Sequence, residues 1–325
     1  MRATWYEKNG TAKDVLQFGT MPDPKPQAGE VLVRLATSGV NPSDWKARSG
    51  ARPITFDRII PHSDGAGIIE QVGAGVSTSR LGERVWVWNG QWNRAFGTAA
   101  EFIAVPERQA VALPPLISFA AGACLGIPAL TAYRALTVDG LPDGQTVLIT
   151  GGAGAVGHYA IQMAKLLGAR KILTTVSSAE KAEHARKAGA DVVINYRTEN
   201  LVDRVLSETD GIGVDRIVDV DISGHAKILP RIMARDGLAI AYGSNNPSVA
   251  FDFVPMITSG AAVRFFIVYE LSSIARQQGL DAITRWLERD CLHHEVGAEF
   301  RLDQVTEAHE AVERREVVGN VILRM

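Results

Sequence analysis

The residues best placed to do chemistry lie between Thr146 and Gly157, in TVLITGGAGAVG. Gly152-Ala153-Gly154-Ala155-Val156-Gly157 fits the pattern G-x-G-x-x-G. A short buried strand, Thr146 to Thr150, precedes it. A helix starts near Ala155 and carries Tyr159, Ile161, Met163, Ala164, Leu166 and Leu167. In such a turn one glycine makes the tight bend, one lets backbone approach a pyrophosphate, and one lets helix pack on strand. The helix start adds free N–H groups and a positive dipole end. A strand before and a helix after favour a dinucleotide site over a purely structural turn. The end of the next strand bears on which dinucleotide. An acid there hydrogen-bonds both ribose hydroxyls and repels a 2′-phosphate. This strand ends Thr175-Val176-Ser177-Ser178-Ala179 with no acid at its tip, and Glu180 comes a turn later, facing solvent. Ser177 and Ser178 offer hydroxyl and backbone donors, and Lys181 offers a mobile positive charge suited to phosphate. The pattern favours NADPH over NADH.

The elements that must position these residues fall into two rhythms. Up to about residue 110 the chain reads as mainly β. Glu30 to Ala36, Ile68 to Val72 and Glu83 to Trp88 are strand candidates, with Pro and Gly between them. That suggests a compact, barrel-like β domain. From Thr146 strand and helix alternate. The strands are Thr146–Thr150, Lys171–Val176, Val192–Tyr196, Arg216–Val220, Leu238–Tyr242 and Val263–Tyr269. The helices are Ala179–Ala188, Leu201–Glu208 and His225–Met233. Six strands with crossovers imply a parallel, doubly wound sheet. Helices Asp281–Arg289 and Val305–Arg314 and a strand Asn320–Leu323 then return to the β domain.

A chain of 325 residues suggests two domains, and 46% apolar content can fill them. Lys plus Arg is 34 and Asp plus Glu is 36, so no global basic field invites nucleic acid. Only Cys124 and Cys291 occur, which fits a reducing, cytoplasmic setting and no disulfide framework. The start lacks the apolar core of a signal peptide. Leu116 to Tyr133 carries no charge but is interrupted by Gly122, Gly126 and Pro128, and reads as a buried helix and loop, not a membrane span. His293-His294 is read as a surface pair, because adjacent side chains diverge.

Further residues carry a family pattern. They are Ser38-Gly39-Val40-Asn41-Pro42-Ser43-Asp44, Arg48-Ser49-Gly50, Gly65-Ala66-Gly67 with Gly73, and Leu125-Gly126-Ile127-Pro128 followed by Thr131 to Leu136. Gly243-Ser244-Asn245 and Glu307-Ala308-His309 complete it. Over nearly its whole length the chain resembles the medium-chain dehydrogenase/reductase superfamily, and within it the zinc-free, zeta-crystallin-like quinone oxidoreductases. The resemblance implies an α/β protein. A GroES-like β-barrel catalytic domain (1–123 and 270–325) would flank a Rossmann NADP-binding domain (124–269), with the active site in the cleft between them. It implies NADPH as cofactor, with Lys181 and Tyr196, of Ile194-Asn195-Tyr196, beside the 2′-phosphate. Thr131 and Asn41 would lie near the nicotinamide, and Gly243 and Ser244 at a strand end facing the cofactor. A basic residue of relatives is replaced by Asn320.

Related alcohol dehydrogenases hold catalytic zinc at positions that read Asn41, Ser63 and Ile127 here. Zinc wants thiolate, imidazole or carboxylate, so metal-independent hydride transfer is expected. His62 and Cys124 miss the register. Asn41 and Asp44 are the catalytic candidates. Asn41 could donate to a carbonyl or carboxamide, or Asn41-Pro42 could be plain turn chemistry, and Asp44 could instead cap a short helix. The expected function is an NADPH-dependent quinone reductase. The alternatives are a reductase of α,β-unsaturated aldehydes or ketones, and a non-catalytic, crystallin-like or regulatory cofactor binder. The resemblance also implies a homodimer, pairing at the apolar edge Val263–Tyr269.

Overall fold

A computed structural model describes all of residues 1–325. The chain forms two units, Met1–Pro128 with Leu280–Met325, and Ala129–Gly279. Both crossings lie later in the chain than the expected 123/124 and 269/270. At the first, Ile127 N–H bonds Asp64, which keeps that segment with the β unit. At the second, a helix begins at Ser273, and its early turns belong to the other unit. Gly279 packs on Leu130 and Tyr133, and Arg276 hydrogen-bonds the Tyr269 carbonyl.

The first unit opens with an antiparallel ribbon of β1 (Arg2–Trp5) and β2 (Gln17–Thr20). Then come β3 (Glu30–Val40), β4 (Asp64–Val72), β5 (Arg84–Val87), β6 (Phe102–Pro106) and β7 (Ala110–Ala112). Alternation along β3 buries Val31, Val33 and Leu35 against Ile69, Val85, Val87, Ile103 and Val105. β3 runs on to Val40, beyond the expected Ala36, because Gly39 pairs with Asp64 where any side chain would strike the Ala123 carbonyl.

The second unit is a six-stranded parallel sheet of β8 (Thr146–Ile149), β9 (Lys171–Val176), β10 (Val192–Asn195), β11 (Val214–Asp219), β12 (Met233–Ala241) and β13 (Ala262–Phe265). Their order, β10-β9-β8-β11-β12-β13, is that of a doubly wound dinucleotide fold. Leu148, Leu173, Ile194, Ile217 and Ala239 form its core between sheet and helices. Two expectations need correction. The strand Val263–Tyr269 stops at Phe265, and Val268–Glu270 is a short 3₁₀ turn. The helix His225–Met233 is two pieces, Ile222–His225 and Leu229–Ile232, because Pro230 opens the second. The charge-free run Leu116–Tyr133 is mostly buried, and no helix is long and apolar enough to cross a membrane.

The chain then returns to the first unit with β14 (Val296–Arg301), the helix Val305–Arg314 and β15 (Asn320–Arg324). β15 lies between β14 and β3 and pairs antiparallel with β3.

Candidate functional site

The glycine turn lies where β8 ends. Gly151, at φ 73°, makes the bend, one position ahead of the motif. Its N–H donates to Thr175 Oγ1, and that of Gly152 to the Thr175 carbonyl, both at 3.0 Å. A Cβ on Gly152 would lie 2.1 Å from Thr174 Oγ1, and one on Gly157 would lie 2.2 Å from the Gly151 carbonyl oxygen. These two glycines let strand, turn and helix touch. Gly154 differs. It is exposed, it N-caps the helix Ala155–Leu166, and a Cβ there would approach nothing closer than 3.4 Å. Its backbone is open to an arriving ligand. Ala155, Val156 and Gly157 follow with the N–H groups that a first helical turn leaves unpaired. The cradle fits a dinucleotide pyrophosphate.

The neighbouring strand ends complete this edge of the sheet. Ser177 and Ser178 follow β9. Ser178 caps the helix Ala179–Lys187, its Oγ accepting from the Lys181 N–H at 3.3 Å, so the hydroxyl keeps its donor for a ligand. The Lys181 side chain rises from that first turn, half-buried. Tyr196 follows β10 with 52% exposure, and its N–H bonds the Val176 carbonyl at 3.1 Å, holding it beside the β9 end. Gly243 and Ser244 follow β12. Gly243 fits against the Val220 carbonyl, and Ser244 Oγ donates to the Asn246 carbonyl at 2.6 Å. Thr131 is buried in the first turn of the helix Leu130–Thr137. Asn320 belongs to the other unit, where its amide donates to the Glu295 carbonyl at 2.9 Å.

One group here was not foreseen. Asp219, fully buried at the end of β11, accepts from Thr150 Oγ1 at 2.9 Å and lies 2.8 Å from His225 Nδ1. It anchors the residue that leads into the glycine turn. Burial works to lower the His225 pKa, but the hydrogen bond and charge of Asp219 outweigh it and raise it. The one sequence signal was an acid closing an apolar strand.

In the first unit Asn41 N-caps the helix Pro42–Lys46, and Asp44 reaches back to accept the Asn41 N–H at 2.7 Å. Both local readings, turn and cap, are therefore realised. The Asn41 side chain has a further partner. Its Nδ2 donates to Asp64 Oδ2 at 2.8 Å, and the same oxygen accepts the Ile127 N–H at 3.0 Å. Asp64 is fully buried, its Oδ1 unpaired against Gly126. Burial pushes its carboxyl well above the usual range, against the two hydrogen bonds. Burial also lifts Asp44, to about 7, opposed by the Asn41 N–H and the Arg52 charge. Asp64 thus fixes the plane of the Asn41 amide, leaving one amide hydrogen and the carbonyl oxygen for a ligand.

The positions that would ligate zinc do not fit it. Asn41 and Ile127 aim N–H groups at Asp64, and Ser63 brings only a hydroxyl. His62 turns away, its Nε2 2.9 Å from His309 Nε2 and its Nδ1 2.9 Å from Ser38 Oγ. No group of three or more His, Cys, Asp or Glu in the chain could hold a metal ion.

Comparison with known proteins agrees with this architecture. Residues 27–115 match the alcohol dehydrogenase GroES-like domain, and residues 155–285 match the zinc-binding dehydrogenase domain. Quinone oxidoreductase of Rattus norvegicus is 30% identical over 297 residues, covering 89% of this chain and 87% of that protein. Escherichia coli quinone oxidoreductase, solved in complex with NADPH, superposes with a TM-score of 0.88 at 27% identity, covering all of both chains. An NAD-dependent alcohol dehydrogenase superposes at 0.90 with 26% identity, again over all of both chains. The fold is thus shared by proteins that differ in cofactor and substrate, while the sequence kinship is with one group: the chain belongs to the quinone oxidoreductase family of the medium-chain dehydrogenases/reductases.

Proposed function

We propose that the protein is an NADPH-dependent reductase of quinones that works without a metal. The glycine cradle beside an acid-free β9 end carries this reading. When bound, NADPH supplies a hydride, which with one solvent proton takes a quinone to its hydroquinone. Gly152 to Gly157 hold the pyrophosphate, and Ser177, Ser178, Lys181 and Tyr196 hold the adenosine phosphate. Gly243, Ser244 and Thr131 line the remaining cofactor path, and Asn41, held by Asp64, orients a carbonyl. Asp44 keeps Asn41 in place. A quinone is a strong electrophile and asks little more of the protein.

The test is NADPH oxidation by the purified protein with 1,4-benzoquinone, a naphthoquinone and short 2-enals, with and without a chelator. Quinone turnover that survives chelation supports the reading. Turnover of enals alone would point to an enone reductase. Tight NADPH binding without turnover would point to a non-catalytic role, and loss of activity on chelation would overturn the metal-free step.

Cofactor choice is tested separately. Removing one charged partner of a phosphate costs roughly 1.5–3 kcal/mol, about tenfold to a hundredfold in affinity. Lys181→Ala is expected to raise the KM for NADPH by that order and to leave NADH nearly unchanged. An equal effect on both cofactors, or a wild type that prefers NADH, would show the assignment to be wrong.

We also propose a homodimer. β13 has a strand on one side only, and Phe265 on it is 62% exposed. Phe253, Val254 and Ile257, on the helix Phe253–Ser259, are exposed as well. An open edge beside exposed apolar residues calls for cover. Light scattering should give twice the chain mass at micromolar concentration, and one chain mass for Phe265→Asp. A monomeric wild type would refute the dimer.

A further inference from the structure

One short segment, Asp219 to His225, is tied to both turns at the C-terminal edge of the parallel sheet. On one side Asp219 Oδ1 accepts from Thr150 Oγ1 at 2.9 Å, and Thr150 Oγ1 accepts the Val220 N–H at 2.9 Å. The segment thereby grips the residue just ahead of Gly151. On the other side Asp221 Oδ1 accepts the Asn245 N–H at 2.9 Å, and Asp221 Oδ2 accepts from the Asn245 side-chain amide. The Ile222 N–H donates to the Gly243 carbonyl at 3.1 Å. These bonds fix the loop that carries Gly243 and Ser244.

The segment carries two acids and one base. Asp219 is fully buried, and its Oδ2 bonds no group of the protein. Burial works to raise the Asp221 pKa, but hydrogen bonds from Ser223, Asn245 and Gly224 outweigh it and lower it, so Asp221 stays charged. His225 is the one side chain of the segment that can carry a positive charge. Its Nδ1 lies 2.8 Å from Asp219 Oδ1, and the side chain is 23% exposed, so it exchanges protons with solvent. Asp219, on β11, and Asp221, in the turn after it, are the charges that act on His225. Tyr242, at the end of β12, is near Asp219 and stays neutral, because burial and then the Asp219 charge raise its pKa. Without the His225 proton, two negative charges would stand uncompensated where an anionic cofactor arrives.

Resting on the NADPH reading above, we propose that His225 is a positioning residue for the cofactor, whose charge, beside Asp219 and Asp221, offsets these acids and clasps the two turns. Cofactor affinity then follows the His225 proton. The hydrogen bond to Asp219 and the two acid charges raise the pKa of this imidazole. Affinity is therefore full at low pH and falls as pH rises through that value, above the ordinary imidazole value of about 6.5.

The experiment titrates NADPH by fluorescence into wild type, His225→Asn and Asp219→Asn at intervals from about pH 6 to about pH 9. Asparagine at 225 places its amide nitrogen where Nδ1 stands, and keeps a donor to Asp219 without the charge. In wild type the Kd should rise by about threefold to tenfold over this range, the order set by one unit charge near a phosphate behind partial solvent screening. His225→Asn should show the alkaline Kd at every pH. Asp219→Asn should move the step down toward about 6.5. The 2′-phosphate of NADPH titrates in all three proteins and drops out of the comparison. The same step in wild type and His225→Asn would overturn the proposal and leave the NADPH reading intact. No NADPH binding at any pH would refute both. Should His225→Asn fail to fold, Asp219→Asn decides: a lowered step supports the proposal, and an unmoved one overturns it.

Discussion

Gly157→Ala is expected to lower NADPH affinity by about a hundredfold, the order of loss that a misplacement of about 1 Å produces at a preorganised site. The added Cβ would stand 2.2 Å from the Gly151 carbonyl oxygen and 2.8 Å from the Gly152 Cα. Both are backbone atoms and cannot rotate aside. The helix must lift from the turn, and its N–H groups move off the phosphate position. Overpacking of this kind also costs about 1–3 kcal/mol of stability, a fall of a few degrees in Tm. Gly154→Ala separates fold from ligand. A Cβ at Gly154 meets only ordinary contact distances within the protein, so Tm should stay within a degree or two of wild type. It would stand on the open backbone where the pyrophosphate arrives, and affinity should drop about tenfold. Fluorescence titration with NADPH beside thermal melts reads both. Wild-type affinity in Gly154→Ala would mean that the phosphates pass elsewhere.

The second large effect is expected at Asp64. Alanine there strands two buried donors, Asn41 Nδ2 and the Ile127 N–H. Each stranded donor costs about 1–3 kcal/mol, so Asp64→Ala should lose roughly 2–6 kcal/mol in denaturant unfolding, with kcat falling further as the Asn41 amide goes free. Asp64→Asn is the discriminating variant. Burial holds the carboxyl toward its protonated form, and an amide has nearly the same shape with one oxygen to accept both N–H groups. It should retain most of the stability and most of kcat. Equal damage from both variants would mean that Asp64 acts as a carboxylate, not as a neutral acceptor.

How far the sequence could be read depended on the range of the interactions. The glycine turn, β9 and the helices Leu201–Glu208 and Val305–Arg314 lie where pattern and caps put them, because each is set by neighbours a few residues away. β12 begins at Met233, ahead of the expected Leu238. Near its start Arg235, Asp236 and Gly237 look like a loop and form a bulge: Asp236 has φ 59°, and the pairing with β11 jumps from Met233 to Leu238 across them. β13 runs short for the opposite reason. The apolar run continues past Phe265, but Val268 and Tyr269 are buried in a turn that periodicity cannot distinguish from a strand. β1, β2, β6, β7 and β14 are short or half-exposed and carry little pattern. The Asn41–Asp64–Ile127 contact and the His62–His309 pair were illegible, because residues far apart in the chain meet there only once β3, β4 and β15 have paired.

The placing of β15 between β14 and β3 has a consequence for how the chain is made. The parallel sheet of the second unit uses one continuous segment, Ala129–Gly279. It can close on itself as soon as that segment has left the ribosome. β3, by contrast, emerges early and must wait for Val321 and its neighbours to pair with Val40. Domains generally fold as units during synthesis, and contacts distant in sequence form slowly. The dinucleotide-binding unit should therefore be folded while the β unit still holds an open strand edge. During that interval the nascent protein carries the cradle for its cofactor and an unfinished partner domain. Saturating cofactor, which binds the completed unit, would protect ribosome-bound chains in the middle of the sequence from protease well before it protects their first hundred residues.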